Sequence, residues 1–160
     1  MEIASRKVHV VGVTVNPTGE WVAQQARNLA WKLQDRVLQA RFLLRDRDSK
    51  FASAFDQVFR SEGVKVVRLP FRAPRSNSIA QRFVLTCRRE VLDHLLIFSV
   101  RHLDATIKEF LVHYHQARPH QGLDQRCPDP DPKVIPLPVG GRIVRHDRLG
   151  GLLHEYSWAA

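Results

Sequence analysis

The chain is short of cysteine and of acidic residues, and it has no long apolar run. Cys87 and Cys127 are its two cysteines, 40 positions apart and with no Cys-x-x-Cys spacing. That excludes a disulfide framework and a cysteine-based zinc site. No stretch approaches the ~18 apolar residues of a membrane span, so an integral membrane protein is excluded too. Residues 1–7 lack the apolar segment of a secretory signal, which makes the cytoplasm the expected compartment. Sixteen Asp and Glu stand against 25 Lys and Arg, a net charge of +9. Acid is scarcest between Arg68 and Glu90. There Arg68, Arg72, Arg75, Arg82, Arg88 and Arg89 face Glu90 alone, which gives +5 in 23 residues. Arginine forks suit phosphate oxygens, so this stripe points to a nucleic acid held through its backbone.

What the chain does have is enough apolar material for a core. Its 160 residues are 44% hydrophobic and include three Trp and eight Phe, which argues for a folded domain and against disorder. The first 15 residues read as a strand, and the Val-rich run from Val8 to Val13 suits an interior one. Asn16, Pro17, Thr18 and Gly19 make a turn, and Thr18 is placed to cap a helix over 19–36. Its apolar stripe is Val22, Ala26, Leu29, Ala30, Leu33 and Val37. A second strand covers 41–46 and ends in Asp46. A helix over 50–61, with Ser49 as its cap and Gly63 closing it, leads to a third strand at 64–69. The order β, α, β, α, β implies parallel crossovers in an α/β sheet. A proline-containing loop then feeds a helix over 77–96, with Ala80, Phe83, Val84, Cys87, Val91 and Leu95 inward. Another helix spans 101–116. Five prolines between Cys127 and Pro138 read as an extended linker, and 141–160 reads as a hairpin.

Three segments carry a more specific signal. They are Arg45-Asp-Arg-Asp-Ser-Lys-Phe51, Pro74-Arg-Ser-Asn-Ser-Ile-Ala-Gln-Arg-Phe83 and Tyr114-His-Gln-Ala-Arg-Pro-His-Gln-Gly-Leu123. In order and spacing they resemble the Asp-Asp-Glu transposases and retroviral-type integrases, in particular bacterial insertion-sequence transposases. In that family they correspond to Ser-Asp-Asn-Gly-Ser-x-Phe, Pro-x-x-Asn-x-x-x-Glu-x-Phe/Trp and Tyr-Asn-x-x-Arg-Pro-His-x-x-Leu. The resemblance implies an RNase H-like mixed sheet flanked by helices. It implies a bacterial protein associated with the nucleoid when on DNA, cutting and joining DNA strands with two Mg²⁺ or Mn²⁺ ions held by three carboxylates. Asp46 falls on the second Asp and would be a metal ligand. Gln81 falls on the Glu, and its neutral amide is a poor Mg²⁺ ligand. Lys50, Arg72, Arg75, Asn77, Arg82, Arg88 and Arg89 are the candidate DNA contacts.

The family's first Asp lies on a central first strand, and this sequence starts within the second, so the resemblance implies a truncated core. The expected division is a partial catalytic core over 1–123, a Pro-rich linker over 124–140 and a hairpin tail over 141–160. Glu90 cannot replace the missing Glu, because nine positions from Gln81 is the opposite helix face. Asp48 takes the place of a turn Gly, and Glu2 lies on the wrong strand. Metal binding of a productive kind, and catalysis by this chain, are therefore not expected. His113, His115 and His120 do not converge on a zinc geometry. The alternative is a non-catalytic basic fragment that binds DNA or inhibits an intact transposase. The expected partners are DNA and, through open sheet edges, a second copy or an intact transposase.

Overall fold

The computed structural model describes residues 1–34, 40–71, 77–130 and 142–158. They divide into two units, His9–Arg82 and a second composed of Met1–Val8 with Phe83–Ala160.

In the His9–Arg82 unit, helix α1 (Gly19–Gln34) starts where Thr18 Oγ1 accepts the Trp21 N–H at 3.2 Å. It buries Ala23, Ala26 and Ala30. Strand β1 (Phe42–Arg45), helix α2 (Ser53–Ser61) and strand β2 (Lys65–Arg68) follow. The α2–β2 link turns at Gly63, whose φ of +76° favours a residue without Cβ. The strands are parallel and pair Leu43 with Val66 and Arg45 with Arg68. Ala26, Phe59 and Val64 form the buried core, flanked by Leu29, Leu43, Phe55, Val58 and Val66. Burying a Phe such as Phe59 contributes about 2–3 kcal/mol. Side chains alternate along a strand, so Phe42 and Leu44 fall on the opposite face, where they stay exposed.

Two expectations fail in this unit. Residues 9–15, the part of the expected first strand that falls in this unit, join no ladder, and among the described residues the parallel sheet has two strands rather than the three of the expected β, α, β, α, β order. A Val-rich run becomes a strand only beside a partner, and none pairs with it here. The second failure is at α2, which begins at Ser53 rather than 50. Its N-cap is Ala52, with no side-chain cap. Ser49 is excluded from capping because the loop before it is already folded on itself. Asp46 Oδ1 accepts the Asp48 N–H at 3.1 Å, Asp48 Oδ1 accepts the Lys50 N–H at 2.9 Å, and Phe51 N–H reaches the Asp48 carbonyl at 3.1 Å. Such Asx turns compete successfully with a helical start.

The unit division falls inside helix α3 (Ser78–Glu90). The helix stops short of residue 96. Val91 leaves helical geometry at φ −135°, ψ −63° and is wholly buried, and a 3₁₀ turn covers Leu92–His94. In the unit containing Phe83–Ala160, Ser99 Oγ caps helix α4 (Val100–Gln116) through the His102 N–H. Phe110 and Tyr114 of α4 pack against Phe83, with ring centroids 6.3 and 5.2 Å apart. Cys87 and Val91 are buried with them in sequence register, one turn apart each. Val84, expected in that stripe, is 56% exposed. It lies about 100° round the helix from Phe83, outside the covered face.

Strands β3 (Ile143–Arg148) and β4 (Leu153–Trp158) make the expected hairpin, antiparallel about Leu149–Gly151. Glu155 joins it to α4 by accepting from His113 and Arg148, while Glu109 accepts the Leu149 N–H at 2.7 Å. Burial alone would raise the Glu155 carboxyl; those two partners more than offset it and hold the group below the ordinary carboxylate value. Most of the proline-rich linker lies outside the described residues. No helix among the described residues is long and apolar enough to cross a membrane.

Candidate functional site

Asp46 follows β1 directly, at the C-terminal end of a parallel pair, the position where open α/β sheets gather ligands. Its side chain is exposed. One carboxylate oxygen is engaged by the Asp48 N–H, and its carbonyl accepts Arg45 Nη1–H at 2.8 Å. Lys50 lies in the same loop and faces Asp48, with Nζ 3.4 Å from Oδ2. The Lys50 backbone N–H is the main reason the Asp48 carboxyl lies below its usual value.

Behind this loop sits a charge cluster that the sequence did not announce. Asp56 of α2 is completely buried. Arg45 grips it with two parallel hydrogen bonds, Nε to Oδ1 at 2.7 Å and Nη2 to Oδ2 at 2.9 Å. Arg68 Nη2 adds a third at 3.1 Å, and Arg60 stands 3.6 Å from the same Oδ2. The Arg45 hydrogen bond, with that of Arg68, outweighs burial and holds Asp56 below the ordinary carboxylate value. The parallel register is what makes this possible, because it sets Arg45 and Arg68 side by side at the strand ends. A signal existed in the sequence: Asp56 sits three residues before Phe59 and one after Phe55, so an inward carboxylate demanded a cation.

The other candidates are distributed along α3. Gln81, Arg82, Arg88 and Arg89 are all exposed on that helix. Arg82 and Arg89 are seven positions apart, hence on one line of the helix surface. Arg88 has Asp93 as a loose partner at 3.8 Å. Asn77 is half-buried just before the helix. Arg72 and Arg75 lie outside the described residues. Glu90 is fully engaged elsewhere, in a two-point pair with Arg118 at 2.6 and 3.0 Å.

A two-metal centre needs several convergent oxygen ligands. Among the described residues no group of three or more His, Cys, Asp or Glu could hold an ion. At Asp46 the neighbours are the cations Arg45 and Arg47 and a second carboxylate, Asp48, which is tied to Lys50, and position 81 offers an amide. These residues do not fit the metal pair that the resemblance implies. The histidines have structural partners instead. His113 meets Glu155, His115 Nε2 accepts the Val8 N–H at 2.9 Å, and His120 Nε2 meets the Tyr114 carbonyl at 3.1 Å.

The fold is thus α/β, with the exposed Asp46 carboxylate at the end of β1 and, on α3, the exposed arginines Arg82, Arg88 and Arg89. Residues 62–128 match the family model of the integrase core domain. That match, which covers β2, α3 and α4, supports an integrase- or transposase-type core and, at family level, DNA integration. No curated protein and no solved structure matches the chain.

Proposed function

We propose that this chain carries a transposase-type catalytic core of RNase H-like ancestry, and that it binds DNA without cleaving it. The observation that carries the reading is the amide of Gln81, exposed on α3 beside Arg82, which we assign to the family's Glu position. The integrase-core match over 62–128 supports the assignment of α3 to the family's third-carboxylate helix. Asp46, which follows β1, is assigned to the second Asp, and an amide cannot share a divalent ion with it as a carboxylate does. DNA contacts are assigned to Lys50, Arg72, Arg75, Asn77, Arg82, Arg88 and Arg89, with the arginines as phosphate clamps. The core is assigned to 1–123, with 124–140 as linker and 141–160 as tail.

The test is incubation with supercoiled plasmid in Mg²⁺ or Mn²⁺. The expected result is a shift of plasmid mobility by binding, with no Asp46-dependent nicking or strand transfer. Nicking that requires the metal and disappears in Asp46→Asn would overturn the proposal.

A further inference from the structure

The Asp56 cluster holds more positive charge than its structural task requires. Arg45 alone satisfies both carboxylate oxygens of Asp56. Arg68 and Arg60 crowd the same Oδ2, with side chains 55% and 58% exposed. Three guanidinium groups therefore share one carboxylate. Arg47 adds a fourth from the adjoining loop, anchored by its Nε on the Leu69 carbonyl at 3.0 Å. Asp48 does not offset this, because Lys50 attends it through both its backbone N–H and its ammonium. Around this point five cations (Arg45, Arg47, Lys50, Arg60, Arg68) meet three carboxylates (Asp46, Asp48, Asp56). Like charges held this close are unfavourable unless an anion joins them.

The structure offers a place for that anion. Arg45, Arg47, Asp48, Ser49, Phe51 and Arg68 line a cavity of about 230 Å³ at the end of the strand pair. One wall is the Phe51 ring, 5.7 Å from the Arg45 guanidinium, which lowers the local dielectric and strengthens charge-assisted bonds. Ser49 brings a hydroxyl. The volume lies below the ~300–1,000 Å³ of sites for drug-sized organic ligands. A nucleoside is too large for it, whereas a single tetrahedral oxyanion is not.

We propose that this cavity binds one phosphate group, with Arg47 and Arg68 as the primary donors and Ser49 as an auxiliary one. Asp56, buried behind the cavity, positions Arg68 through its Oδ2, and Arg45 lines the cavity beside them. Its donors, Arg47, Arg68 and Ser49, are none of the DNA contacts assigned above, so phosphate binding here and the proposed function fail separately. A phosphodiester of a nucleic-acid backbone and free phosphate share the required chemistry.

Isothermal titration of the full chain with orthophosphate, and separately with dimethyl phosphate, tests the site at fixed ionic strength in chloride. Saturable binding of either probe is expected; dimethyl phosphate alone would name a backbone as the source, orthophosphate alone the free ion. Arg47→Gln, on an exposed side chain, should weaken binding about tenfold or more, the loss of one charge-assisted contact. Arg101→Gln, on an exposed side chain outside the assigned DNA contacts, should leave it unchanged. Circular dichroism checks that both variants fold as the parent does. Absence of saturable binding to both probes, or parental affinity in Arg47→Gln, would overturn the proposal.

Discussion

Asp56→Asn isolates the contribution of the buried charge cluster. The substitution keeps the side-chain volume but removes the charge and replaces one acceptor by an NH₂ donor. Arg45 then faces a donor where it had a carboxylate oxygen, and its side chain is only 6% exposed, so water cannot replace the lost bond. Removing one partner of a buried pair costs about 3–5 kcal/mol, because the remaining ion stays buried and unpaired. His9–Arg82 is in the size range where each kcal/mol moves the melting temperature by about 4–8 °C. A loss of about 3 kcal/mol therefore lowers the unit's midpoint by roughly 12–24 °C. Trp21 and Trp31 report on this unit, so the measurement is fluorescence-detected melting in a Trp158→Phe background. Arg68→Gln is the internal comparison. Its side chain is half exposed, and its loss should cost no more than about 1 kcal/mol. If Asp56→Asn melts within a few degrees of the parent, or Arg68→Gln costs as much, the cluster does not organise the unit as argued.

Three further outcomes follow from the structure and the proposed function. If about four phosphates are neutralised, log–log salt dependence of duplex DNA binding should have a slope near −3.6, and Arg82→Ala with Arg89→Ala should flatten it by up to about two units; an unchanged slope would remove α3 from the interface. Burial holds the His120 ring below its ordinary pKa of 6.5, so the fold favours the neutral ring. Its contribution is complete above that value and declines as pH falls through the lowered one, and the acid-side drop in melting temperature should be smaller in His120→Gln. Gly63→Ala meets no neighbouring atom within 4 Å but keeps φ at +76°, so urea denaturation should show a purely conformational loss of about 1–2 kcal/mol.

Local features were legible wherever one segment determines its own structure. The three-and-four spacing of Ala26, Leu29 and Ala30 located α1, Thr18 its start, and Gly63 the end of the α2 turn. Asp46 at a strand end was readable from the apolar run before it. What depends on a distant partner was not. Val8 to Val13 have strand composition but no pairing strand among the described residues. The Arg45–Asp56–Arg68 cluster joins residues 11 and 12 positions apart only because β1 and β2 pair in parallel register. Glu90 could be placed on the far face of α3 from Gln81, but not in the grip of Arg118, which comes from the chain beyond α4. That pairing coincides with the early end of α3, which periodicity alone extended to residue 96.

The β1–β2 pair has a consequence for hydrogen exchange. In a parallel ladder, alternate residues of a strand direct both backbone groups to the same side. Lys65 N–H bonds the Arg41 carbonyl and Leu69 N–H the Arg45 carbonyl, so the odd-numbered residues of β1 face β2. Phe42 and Leu44 direct their amides the other way, where no further ladder partner exists among the described residues. Their amide protons should exchange rapidly beside slow neighbours at Leu43 and Arg45. A strand docking along that edge would slow Phe42 and Leu44 and leave the other two as they were. Two amides thus serve as a built-in gauge of whether the edge of this sheet is occupied.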